Sequence, residues 1–141
     1  MKEEKEQTVI DKTYMYLENY HKMQKYVDTA VSEVSQVTDA DKYNVSAEIA
    51  FMQSIRECKA ETIILLEHMK KALESLKEDS EEEGEEYKYK AFYMRYIENR
   101  TYESIAREMG CGKNSPKKWS REMIEKYSIK LFGAKAIIEK F

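Results

Sequence analysis

The stretch Thr101-Tyr-Glu-Ser-Ile-Ala-Arg-Glu-Met-Gly110-Cys-Gly-Lys-Asn-Ser-Pro-Lys-Lys-Trp-Ser120-Arg-Glu-Met123 decides how this chain is read. Thr101 is a good N-cap, because a hydroxyl there accepts from a backbone N–H that a helix start leaves without a partner; Ser104 falls in the first turn. Ile105 and Met109 are the buried contacts of a short helix, and Ala106 is small where a second helix must cross closely. Gly110 stands where that helix has to end in a left-handed residue, which glycine adopts without a Cβ penalty. Beyond the turn, Ser115 is placed to cap a new helix, with Pro116 at its first position, where a missing N–H costs nothing. Trp119, Met123 and Tyr127 recur every four residues and face inward, which leaves Lys117, Lys118 and Arg121 on the outer face. The spacing predicts two short helices joined by a tight turn, the second basic on its open side.

Upstream, Tyr89, Phe92, Tyr93 and Tyr96 stand at i, i+3, i+4 and i+7 and form the core face of a helix. Tyrosines can also stack on unpaired bases, but at this spacing packing is the simpler account. Before them, Glu78-Asp79-Ser80-Glu81-Glu82-Glu83-Gly84-Glu85-Glu86 holds seven carboxylates in nine residues and reads as a solvated linker. Ile10, Tyr14, Leu17, Tyr20, Val27, Val31 and Val34 predict a first helix over 9–37. Turn and cap formers fill 38–44, and a second helix starts near Val45 with Ile49, Met52, Ile55, Ile63, Leu66, Met69, Leu73 and Leu76 on its apolar face.

The expected fold is therefore all-α: an antiparallel helical hairpin over 1–77, an acidic linker over 78–86 and a helix-turn-helix domain over 87–141. A two-helix hairpin buries little surface alone. It either pairs with a second copy, giving a homodimer, or packs its stripes on the C-terminal half of its own chain.

Composition agrees with long helices and narrows the function. Of 141 residues, 42 % are hydrophobic and 36 % charged, with only four glycines and one proline for turns. The net charge of −3 conceals a division: residues 1–86 carry 11 Lys+Arg against 21 Asp+Glu, and residues 87–141 carry 13 against 6. A balance of −10 joined to one of +7 points to a polyanionic partner for the C-terminal half. Cys58 and Cys111 form no CxxC pair and no zinc pattern with His21 or His68, so reduced thiols and a cytoplasmic setting are expected, without metal or cofactor. The longest apolar run, Ile63-Ile64-Leu65-Leu66, is far too short to span a bilayer, so no membrane partner is expected. No phosphate-binding glycine loop and no Ser/His/Asp set is present, so the reading is of a binding protein, not an enzyme.

A helix pair with a basic open face has the layout that places a reading helix in the major groove of double-stranded DNA. Arg121 and Lys117 are candidates for guanine edges and Asn114 for adenine. Tyr102 and Ser115 are candidates for phosphates, as are the cations Lys90, Arg100, Arg107, Lys113, Lys126 and Lys130.

The run Arg95-Tyr-Ile-Glu-Asn-Arg100-Thr-Tyr-Glu-Ser-Ile-Ala-Arg-Glu-Met-Gly110 resembles the helix-turn-helix of region 4 in bacterial sigma-70 factors. It is closer still to small phage regulators of the RinA and ArpU type, over about residues 92–132. That resemblance implies a transcriptional activator of phage or prophage late genes, acting in a bacterial host cell; because one helix-turn-helix covers only a few base pairs, a second copy or a partner such as RNA polymerase is expected. It also implies that Lys113, Asn114, Ser115, Lys117, Lys118 and Arg121 fall on the turn and recognition helix. The chain departs from the pattern at Pro116, where the family has Val or Ile. Two other classes compete: the small, DNA-recognising subunit of a phage terminase, and a module that contacts polymerase or a repressor without touching DNA.

Overall fold

The computed structural model describes residues 7–29 and 45–140, and the described residues form helices joined by short turns, without a strand. The helices run α1 (Val9–Glu18), α2 (Tyr20–Thr29), α3 (Val45–Glu82), α4 (Glu86–Tyr96), α5 (Tyr102–Met109), α6 (Asn114–Phe132) and α7 (Ala134–Lys140). The all-α expectation holds. The chain forms two compact units, one of Met1–Tyr20 with His68–Phe141 and the other of His21–Glu67. This division differs from the one expected over 1–77 and 87–141.

In the first unit α6 is the hub, packed against α4, α5, α1 and α7. Tyr127, Met123 and Ile124 of α6, Phe92 of α4, Ile105 of α5 and Val9 and Leu17 of α1 are all buried. The Tyr127 ring lies 5.5 Å from Phe92, and its hydroxyl donates to the Met69 carbonyl at 3.1 Å. Burying this set removes from water the apolar surface that helices this short cannot bury alone.

The predicted first helix is interrupted. α1 opens on a capping box, the Asp11 N–H donating to Thr8 Oγ1 and the Thr8 N–H to Asp11 Oδ2, both at 3.2 Å. It stops at Asn19, whose side-chain amide donates to the Met15 carbonyl at 2.7 Å. That local bond competes with the helical ladder, and α2 restarts at Tyr20. Instead of forming one arm of a hairpin, α1 packs on α6 and α7. Residues 30–37 of the predicted helix and the turn expected over 38–44 lie outside the described residues.

In the second unit, Met52, Ile55 and Thr62 of α3 are half-buried, whereas Ile49 and Ile63, expected on the same face, are exposed. Gln24 donates to Asp28 one turn on at 3.0 Å.

The acidic run is not the linker expected over 78–86. α3 continues through Glu82 and closes on Gly84 at φ 73. The Glu85 N–H donates to the Ser80 carbonyl at 2.8 Å and the Gly84 N–H to the Glu81 carbonyl at 3.3 Å, the paired bonds of a Schellman cap. Lysines brought in by α4 and α6 offset the carboxylate repulsion. Lys126 meets Glu83 at 3.0 Å and Glu85 at 3.2 Å, Lys88 meets Glu85 and Glu122 at 3.0 Å each, and Lys130 pairs with Asp79. Charge counting along the sequence misses this, because two of the three neutralising lysines, Lys126 and Lys130, come from a helix more than forty residues away.

Candidate nucleic-acid interface

Thr101 caps α5 as its spacing predicts, its Oγ1 accepting from the Ser104 N–H at 3.1 Å. Arg100 fastens the same end, donating to Ser104 Oγ at 2.8 Å and to Glu108 at 2.8 Å. Gly110 closes α5 in the left-handed region, φ 68 and ψ 39, and the Cys111 N–H donates to the Ala106 carbonyl at 3.0 Å. A Cβ at Gly110 would meet no atom within 4 Å, so substitution there costs backbone strain and nothing steric. Gly110→Ala is expected to lower stability by about 1 kcal/mol in a urea titration, with unchanged helicity.

α6 begins at Asn114, two residues before the start expected at Pro116. Lys113 occupies the N-cap position without a side-chain cap, and Ser115 instead donates its N–H to the Gly112 carbonyl at 3.2 Å. Pro116 therefore stands third in the helix, not first, still within the turn whose N–H groups have no helical acceptor. Its ring is fully buried, so it replaces the core side chain it displaces from the Val or Ile pattern.

Lys117, Lys118 and Arg121 are exposed, and among the described residues none has a carboxylate within ion-pair distance. Asn114 and Lys113 extend the same edge. Lys113 is held only by a contact to Glu103 at 3.1 Å, with both side chains more than 60 % exposed, and such a pair is worth little in water. The cationic edge ends within two turns: Glu122 is tied to Lys88 and Glu125 is exposed. On the inner side Met123 and Tyr127 are buried, and Trp119 is half-buried with its ring edge-on to Tyr87 at 4.9 Å.

The remaining candidates divide. Lys90 and Arg107 are exposed. Arg100, Lys126 and Lys130 are spent on Glu108, on Glu83 and Glu85, and on Asp79, so these three cations hold the fold together and do not reach outward. Tyr102 is a packing residue. Its ring lies against the Ala91, Met94 and Ile105 cluster under the Arg95 guanidinium, 4.9 Å from the ring centre. Burial, with the Tyr102 hydrogen bond second, raises the Tyr96 hydroxyl well above the usual tyrosine range. Tyr14 of α1 joins this group, its ring 6.1 Å from that of Tyr96. No local periodicity could have placed Tyr14 beside the helix pair, because its contact is with residues more than eighty positions on. Tyr89 lies tilted against Phe92 at 6.2 Å and against Tyr93 at 5.9 Å; Phe92 is buried and the two tyrosines are half-buried, and burial pushes the Tyr89 hydroxyl up to about 12.

The acidic turn beside α6 carries a pH signature. The hydrogen bonds from Lys88, and then from Lys126, hold Glu85 below the usual carboxylate range. For Lys126 burial works downward, but its bonds to Glu83 and Glu85 outweigh it and raise the amine. A depressed carboxylate contributes its stability above the unfolded value, near 4.5, and loses it as pH falls through the lower folded value. The raised lysines keep their contribution until the pH climbs past the ordinary lysine range. Thermal melts are expected to be flat in this respect from neutral pH up to the lysine range and to fall in acid. The difference between the native chain and Glu85→Gln should shrink toward zero at the acid end.

No helix among the described residues is long and apolar enough to cross a membrane, and no group of His, Cys, Asp and Glu among them is arranged to hold a metal ion. No family model, curated protein or solved structure matches the chain.

Proposed function

We propose that the chain is a sequence-specific binder of double-stranded DNA that regulates transcription, reading base edges with the first two turns of α6. The observation that carries this reading is the exposed cationic edge of Lys117, Lys118 and Arg121, without a carboxylate partner among the described residues, at the start of a helix whose other side is anchored in the core. A helix entering the major groove uses its N-terminal residues. The exposed cations Lys117, Lys118 and Arg121 lie in its first two turns, while Glu122, Glu125 and the engaged Lys126 and Lys130 lie beyond them. Arg121 and Lys117 take guanine edges and Asn114 an adenine edge, while Arg107, Lys113 and Lys118 meet phosphates. The likeness of residues 95–110 to sigma-70 region 4 and to RinA- and ArpU-type regulators supports activation of phage or prophage late genes as the process served. One helix-turn-helix covers few base pairs, so the reading includes a second copy, with half-sites about one helical turn apart, ~34 Å.

The test is a gel shift on DNA flanking the chain's own gene, repeated over a salt series. With Arg100, Lys126 and Lys130 engaged internally, roughly three phosphate contacts remain, and the logarithm of affinity should fall with the logarithm of salt with a slope of about −3. Absence of any shift at low salt, or a slope near zero, rules the reading out.

A further inference from the structure

Where α3 ends and α4 begins, the first unit carries an open trough of about 400 Å³. Its floor is aromatic, made by Tyr87, Tyr89 and Tyr93, and Tyr87 is 43 % exposed. Its walls carry one lysine and one glutamate from each helix, Lys77 and Glu81 on α3, Glu86 and Lys90 on α4. Glu81 and Glu86 are nearest the connecting turn. Each lysine lies four residues further along its helix, about 6 Å. The trough is thus negative at the turn end and positive at the far end. Neither lysine has a carboxylate partner among the described residues.

The second unit carries an exposed stripe of matching chemistry. Ile64 of α3 is 68 % exposed. Glu57 is two helical turns before Ile64 and Glu61 three residues before it, so both lie toward the same face. These carboxylates are exposed and unpaired among the described residues.

We propose that the stripe of one copy docks in the tyrosine trough of a second copy. Ile64 covers the exposed Tyr87 ring, and Glu57 and Glu61 meet Lys77 and Lys90. The trough carboxylates Glu81 and Glu86 fix the polarity, since laying the stripe the other way sets four carboxylates together. In a two-fold dimer the contact occurs twice, each copy giving its stripe and receiving its partner's. This deepens the self-association named above, rests on that part of the reading, and is independent of whether DNA is bound.

The experiment is light scattering over a concentration series on the full chain and on charge-reversed variants. Lys77→Glu with Lys90→Glu, and separately Glu57→Lys with Glu61→Lys, are each expected to raise the dimer dissociation constant by roughly tenfold or more. All four substitutions in one chain restore every opposite-charge pairing and are expected to return the native value. Ile64→Ser, a change at an exposed position, is expected to weaken the dimer as well, and it decides the matter if a charge variant loses helicity. A native chain that stays monomeric overturns both the self-association and this contact. A dimer that withstands the charge reversals, or that the fourfold variant fails to restore, overturns the contact alone.

Discussion

Replacing Lys117 and Arg121 together by alanine is expected to abolish sequence-specific binding of duplex DNA while leaving the far-ultraviolet circular dichroism unchanged. Both side chains are exposed and free of carboxylate partners among the described residues, so their removal breaks no ion pair among them. Alanine is also the best helix former, and exposed changes of this kind fall within about ±0.5 kcal/mol of neutral. Binding loses far more. A bidentate contact to a guanine edge is worth roughly 1–3 kcal/mol of discrimination, so two lost contacts bring the operator close to the affinity of random sequence. Lys126→Ala supplies the contrast. Its amine is held by Glu83 and Glu85, so its loss should lower stability and leave the preference for operator intact. Competition gel shifts with operator and scrambled DNA separate the two effects. A double variant that still prefers its operator as strongly as the native chain removes α6 as the reading element.

The helix pair was legible from sequence because its determinants are local. Thr101 as N-cap, Gly110 in the left-handed region and the inward Met123 and Tyr127 each follow from neighbours within one or two turns. The outward Lys117, Lys118 and Arg121 follow from the same period. The start of α6 lies two residues before the expected one because Ser115 and Pro116 are good first-turn residues at more than one register, and the bond from the Ser115 N–H to Gly112 chooses between them. The roles of Tyr102, Lys126 and Lys130 were not legible. Each depends on a partner that the fold delivers from another helix, and a charge balance of +7 over 87–141 does not say which cations are already spent. The same holds for α1, whose apolar period announces a helix but not that it packs on α6.

The largest loss of stability is expected at Tyr127. The ring is fully buried at the middle of α6, 5.5 Å from Phe92, and its hydroxyl donates to the Met69 carbonyl. Truncating a buried aromatic to alanine costs about 3–5 kcal/mol, the transfer of the ring plus the cavity it leaves. That is a large share of the roughly 5–15 kcal/mol that holds a domain folded. Tyr127→Ala should therefore unfold at much lower urea and lose DNA binding together with helicity, unlike the Lys117 and Arg121 pair. Tyr127→Phe keeps the ring and gives up one hydrogen bond, a loss of about 1 kcal/mol. The pH dependence separates packing from hydroxyl. Burial raises the Tyr127 hydroxyl above the ordinary tyrosine value of 10.0. A raised folded value means stability that is complete below that pH and drains away as pH climbs toward the folded value. The native chain should lose melting temperature steadily above pH 10, and Tyr127→Phe should lose less, because Tyr96 and Tyr89 are then left to supply the alkaline response. Equal alkaline slopes in the two proteins would show that the Tyr127 hydroxyl is not sealed beneath α3, and with it would go the picture of α6 as a helix fixed on one side and free on the other.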